Sequence, residues 1–177
     1  SGDILSVGFD MYVKLLDQAI KELEEEAEEE PPEVYLELDY TGYIPESYIT
    51  EPVEKMEVYK KIAAVNTEAE LESVYGELED RFGPLPEEVQ SLLSLAEIKI
   101  ICRRLFISSL RERRGTVEIE FSKVAKVSPE RVLSLIEQSG GKVRLDPKRP
   151  HGLILDTGSV GLKEKSEFIR SRLSTLL

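Results

Sequence analysis

The chain has 177 residues, of which 41% are hydrophobic and 33% charged, and a formal net charge of −12. That length supports one good core, or one domain with an appendage, and no apolar run approaches the roughly 18 residues of a membrane span. The single cysteine, Cys102, excludes an internal disulfide; set among Ile98, Ile100 and Ile101 it reads as core filler, and a reducing, cytoplasmic setting without a signal peptide is expected.

The charge is unevenly spread. Residues 1–98 carry 26 Asp and Glu against 6 Lys and Arg, whereas residues 99–177 carry 9 against 17. The halves attract each other, and the acidic first half repels nucleic acid, which favours protein partners over a DNA track.

In chain order, Met11, Leu15, Leu16, Ala19, Ile20 and Leu23 recur at helical spacing and predict a helix over 9–30. Its tail, KELEEEAEEE, is a solvated helix end that stops at Pro31-Pro32, because a residue before proline is pushed out of the α region. Residues 34–40 alternate Val34, Leu36, Leu38 and Tyr40 with polar neighbours, the period of a half-buried strand. A connection punctuated by Gly42, Pro45 and Pro52 leads to a helix over 53–65 with Met56, Tyr59, Ile62 and Ala63 inward.

Thr67 and Glu70 have the spacing of a capping box. The helix they open carries Leu71, Val74, Leu78 and Phe82 on one stripe. Glu70, Ser73, Glu77 and Asp80 fall on the far side, with Arg81 at its edge. Gly83 is placed for a left-handed C-cap, Pro84 bars continuation, and Pro86 suits the first turn of the next helix, with Glu87 and Glu88 at its positive end. That helix runs through Val89, Leu92, Leu93, Ala96, Ile100 and Leu105. Strands follow at 116–121 and near 143–146 and 153–156, the last two joined across PKRPHG. Between them SPERVLSLIEQSGG is a short helix, and a final helix over 162–176 presents Phe168, Ile169 and Leu173. The fold class is α+β: a helix-rich first half with an αα corner, then a small antiparallel sheet with flanking helices.

Chemistry is sparse. There is no phosphate-binding glycine loop, since TGSVG at 157–161 lacks the spacing and the lysine. One histidine, His151 in a Pro-Gly turn, advertises neither a metal site nor a Ser-His pair. No catalytic, cofactor-binding or metal-binding residue is expected. The carboxylates Glu77 and Asp80 are either ordinary solvated acids or a recognition face for arginines, which can bond a fixed carboxylate in bidentate fashion. The basic stretch Lys99, Arg103, Arg104, Arg111, Arg113 and Arg114 offers an alternative, a nucleic-acid-binding module, but interleaves only Phe106 for base stacking.

Glu77-Leu78-x-Asp80-Arg81-Phe82-Gly83-x-x-Pro86, preceded by Tyr43-Ile44-Pro45-x-x-Tyr48-Ile49 and Tyr59-Lys60-Lys61-Ile62-Ala63, strongly resembles the C-terminal region of the bacterial transcription-repair coupling factors. Ser1 to Tyr12 is similar to the last piece of that family's translocation motif, and the similarity in order and spacing continues to about residue 121. Lys55 stands where the family usually carries arginine, and the motor's ATP-binding and helicase motifs are missing. The resemblance implies three parts: 1–32, the end of the translocase motor lobe; 33–52, a strand and connector; and 53–177, a C-terminal regulatory domain. It further implies a monomeric, non-catalytic module that packs on a UvrB-like N-terminal module of the same protein, restrains the motor and covers the UvrA-binding surface. Partner-binding residues would be Glu77, Asp80, Arg81, Glu70 and Ser73. ATP and Mg, double-stranded DNA, RNA polymerase and UvrA belong to the full-length protein in that reading.

Overall fold

The computed structural model describes residues 2–24, 30–39, 42–123 and 126–177. Its elements in order are α1 (Gly2–Glu24), β1 (Tyr35–Glu37), α2 (Pro52–Ala63), α3 (Glu68–Phe82), α4 (Glu87–Arg104), β2 (Ile107–Arg113), β3 (Thr116–Phe121), α5 (Pro129–Gln138), β4 (Val143–Leu145), β5 (Gly152–Asp156) and α6 (Lys165–Ser174). The α+β arrangement expected from the sequence is the one observed. Its five-stranded sheet has the order β1-β2-β3-β5-β4. The sheet is mixed, not purely antiparallel, because β1 from the presumed connector pairs in parallel with β2 while the other neighbours run antiparallel.

Strand β2 is absent from the sequence reading, and its irregularity explains why. Its register against β3 shifts between Ile107 and Ser109. The bulge lets Ile107 and Leu110, three residues apart, both point into the core with no exposed surface, and so breaks the alternation that marks a strand. The β2–β3 turn is also unmarked. Arg114 (φ 52°) and Gly115 (φ 79°) both take positive φ, as a primed hairpin turn requires, but with arginine where Asn or Asp is usual.

Two hydrophobic clusters organise the chain. One gathers Ile44, Ile49, Val58, Ile62, Leu78, Leu85, Val89, Leu92, Leu93 and Ala96 from the α2–α4 region. The other joins both strands and helices: Ile98, Ile101, Cys102 and Leu105 of α4 and its cap meet the sheet, α5, α6 and, from α1, Leu15 and Ala19. Leu15 thus packs on the chain's own body. Burial pushes the Cys102 thiol up to about 12, so it is an inert core side chain.

Several local expectations are corrected. Helix α1 begins at Gly2, not near residue 9, and leaves Phe9 and Ile20 exposed; the acidic segment 25–29 and the side chains of 22–24 lie outside the described residues. In α2 the buried side chains are Val58 and Ile62, whereas Met56 and Ala63 face solvent. The buried pair is spaced i,i+4, a seam too narrow to include Met56 or Ala63. Pro86 is the N-cap of α4 instead of lying in its first turn. The last helix starts at Lys165, after a turn.

The start of α6 meets a strand residue that has no apolar option. Glu112 lies two residues beyond the buried Leu110 and so on the same face of β2; its side chain is 4% exposed, and Lys165 meets it at 2.5 Å with 10% exposure. Removing one member of a buried ion pair strands the other charge, at about 3–5 kcal/mol, whereas replacing both with apolar groups can be neutral. Lys165→Met is therefore expected to lower urea-unfolding stability by about 3 kcal/mol or more, and Glu112→Leu with Lys165→Met to recover most of that loss.

Candidate functional site

Helix α3 is defined at both ends by side chains. The Thr67 hydroxyl accepts from the Glu70 N–H at 3.2 Å, while the Glu70 carboxylate accepts from the Asn66 N–H at 3.0 Å, one residue before the usual partner of a capping box. Leu78 is buried at 2% exposure, and Leu71, Val74 and Phe82 pack partly buried against the same cluster. The inward stripe is the one the sequence predicts.

At the other end Gly83 has φ 88° and ψ −169°, a glycine-favouring region but not the left-handed helical one anticipated. The Gly83 N–H donates to Glu79 at 2.9 Å. The Tyr48 hydroxyl donates to the carbonyls of Gly83 and Leu78 at 2.9 and 3.1 Å, and its ring lies 5.7 Å from that of Phe82. Burial, with the nearby Glu79 charge and Tyr75 adding to it, raises the Tyr48 pKa above its ordinary value. The tyrosine pins the corner to the connector 30 to 35 residues upstream.

Glu70, Ser73, Glu77 and Asp80 share the outer face as expected, but not as four open groups. Glu77 accepts from Lys61 Nζ at 2.6 Å and from Arg81 Nη1 at 3.3 Å, and Arg81 also reaches Glu54 at 3.5 Å. The Arg81 guanidinium lies 4.8 Å over the Phe82 ring. The Lys61 hydrogen bond, then its charge, with Arg81 assisting and slight burial opposing, hold the Glu77 carboxyl below the usual carboxylate range. Glu77 is thus already ion-paired within the chain. Glu70 is engaged in capping. Asp80 is exposed and, among the described residues, has no ion-pair partner; Ser73 is exposed two turns earlier on the same face. Lys61 and Glu54 were not singled out by sequence reasoning, since a contact across 16 residues leaves no periodic signal.

The basic stretch does not form one surface. Lys99 donates to the last carbonyl of α2, Ala63, at 2.8 Å; Arg104 pairs with Glu68 at 3.2 Å; Arg111 stacks over Tyr35 at 4.7 Å. Arg113 and Arg114 stand at the far end of β2, roughly 20 Å from its start at strand rise. Among the described residues no three His, Cys, Asp or Glu side chains gather as a metal site, and no helix is long and apolar enough to cross a membrane. His151 Nδ1 is buried without a partner.

Residues 38–132 match the TRCF domain, and the chain belongs to that family. The matched domain is not a catalytic ATPase domain. The transcription-repair-coupling factor of Borreliella burgdorferi is 32% identical over 175 residues, which cover 99% of this chain and 16% of that protein. The factor of Staphylococcus haemolyticus is 36% identical over 159 residues, 89% of this chain and 13% of that protein. The chain therefore spans about a sixth or less of the length of these relatives. The crystal structure of a transcription-repair coupling factor C-terminal domain superposes with a TM-score of 0.72 over 85% of this chain and 95% of its own, a likeness of fold at 23% identity.

The corner and the ion-pair cluster can be tested separately. Gly83→Ala is expected to cost about 1–3 kcal/mol in chemical denaturation, the strain of a β-carbon at that φ and ψ, although nothing occupies the space beside it. Lys61→Met should raise the Glu77 pKa toward its ordinary value in a carbon-detected NMR titration. Because the folded value is depressed, the pair stabilises above the unfolded carboxylate pKa and the benefit is lost as pH falls through the folded one. At this exposure the benefit is about 0.5 kcal/mol or less.

Proposed function

We propose that this chain is a non-catalytic regulatory and interaction domain of a DNA translocase in transcription-coupled DNA repair, and that the outer face of α3 is its contact surface. The observation that carries the reading is an exposed, unpaired Asp80 beside a Glu77 already oriented by Lys61 and Arg81, on a helix fixed at both ends. A partner arginine could bond Asp80 and the outer oxygen of Glu77 without first ordering either helix end. Membership of the TRCF domain family supports this setting.

In this reading the face packs on a UvrB-like N-terminal module of the full-length cytoplasmic protein, masking the surface UvrA would use and restraining an ATP- and Mg-dependent motor that works on double-stranded DNA and RNA polymerase. The contact must open, so moderate strength suits it. Charge-assisted bonds contribute about 1.5–3 kcal/mol each, and a few suffice. Arg81 and Ser73 serve as edge contacts, and Glu70 acts mainly by holding the start of α3.

In the full-length protein, Asp80→Lys is expected to increase UvrA binding and basal ATPase together, by about tenfold for one lost charge-assisted contact. Adding Glu77→Lys should extend both effects. Unchanged UvrA binding and unchanged ATPase in the double variant would remove the clamp.

A further inference from the structure

On the opposite half of the chain, α5 and the last turn of α6 enclose a cleft of about 210 Å³. Arg131, Ser134 and Gln138 line one wall at helical spacing, Ser139 closes the end, and Arg172 and Thr175 form the other wall. Small side chains leave the space open. Two arginines, Arg131 and Arg172, line it, and neither has a carboxylate partner among the described residues, in a chain with 35 acidic against 23 basic residues.

The acids of α5 do not fill the role. Glu130 is held by the Ser128 hydroxyl at 2.9 Å, and Glu137 falls roughly 100° round the helix from the Arg131, Ser134, Gln138 stripe. Arg172 lies over the Phe168 ring at 4.8 Å, and Lys142 approaches the same ring at 5.6 Å, so a third cation stands nearby. The Arg172 Nε is shut off from solvent and has no acceptor. Buried donors are normally satisfied, and an unmet one marks a missing partner or a functional site.

Of the groups that line the cleft, Leu135 is apolar and the Ser139 and Thr175 hydroxyls already donate to the carbonyls of Ile136 and Arg172, which leaves the two guanidiniums, Gln138 and Ser134 as donors. Gln138 gives one amide hydrogen to Ser134 at 3.2 Å and keeps the second, which leaves the Ser134 hydroxyl hydrogen available as well. An oxyanion with several acceptor oxygens meets such a set. Two guanidinium forks match a tetrahedral phosphate better than a lone planar carboxylate, which offers two oxygens.

We propose that the cleft between α5 and α6 binds a phosphate group through Arg131 and Arg172. The donor could be a small phosphorylated molecule or a nucleic-acid backbone, which present the same chemistry. The site is remote in sequence from the outer face of α3 and stands or falls independently of the function proposed above.

The test is a sodium phosphate titration of the 177-residue chain, followed by amide NMR against sodium chloride at matched ionic strength and pH. Saturable shifts are expected at the amides of Arg131, Ser134, Gln138 and Thr175 and at the Arg172 Nε–H. Arg131→Gln, an exposed position that keeps the helix former, should weaken phosphate binding by about tenfold. Arg172→Gln should abolish it, and if that variant unfolds the Arg131→Gln result decides alone. Parallel titrations use a nucleoside monophosphate and a duplex of about 12 base pairs. Tighter binding of either, lost in Arg131→Gln, supports the site and identifies the source. No saturation beyond chloride, unchanged affinity in Arg131→Gln, or stronger shifts with acetate or a Glu-rich peptide than with phosphate would overturn it.

Discussion

Helix α4 belongs to both hydrophobic clusters, and the position of everything else follows from that. Its first half gives Val89, Leu92, Leu93 and Ala96 to the helical cluster, and its second half gives Ile98, Ile101 and Cys102 to the sheet cluster. An 18-residue helix spans roughly 27 Å, so one rod carries the α3 corner at one end and the sheet at the other. The two contain most of the buried apolar residues and, among the described residues, share no other element. A shift in α4 would be felt in the registry of both, because packed interiors deform little.

How much of this was legible depends on the range of the interaction. Features set within one turn of chain were readable: the stripe Leu71, Val74, Leu78 and Phe82, the Thr67 cap, and the helix break before Pro84. Features set by distant neighbours were not. The bulge in β2 hid a strand, and the parallel partner of β1 was hidden because pairing across more than 70 residues has no local signature. The partners of Glu77 were hidden for the same reason. Helical periodicity placed it on the outer face correctly, but only the packing of α2 against α3 brings Lys61 to within 2.6 Å.

The uneven distribution of charge is partly resolved inside the fold. Arg104 reaches Glu68 and Arg170 reaches Glu97, both pairs joining the basic second half to the acidic first. Arg170 is shared with Glu167, whose side-chain bond raises the guanidinium pKa most. Within residues 1–98 cations are few, and two of the six, Lys61 and Arg81, are spent on Glu77 and Glu54. Asp80 stays open beside them, with no ion-pair partner among the described residues. The surplus of acid on α3 is therefore a property of the whole half, expressed at Glu72, Glu79 and Asp80, all exposed.

Cys102 offers a practical consequence. The only thiol of the chain has no exposed surface and a pKa near 12, so it does not react with maleimides while the domain is folded. A cysteine introduced at any exposed site can carry a fluorophore or spin label by itself, with the native sulfur left in place. Its later reactivity would then report, at that one position, on the moment the α4 rod loses its surroundings.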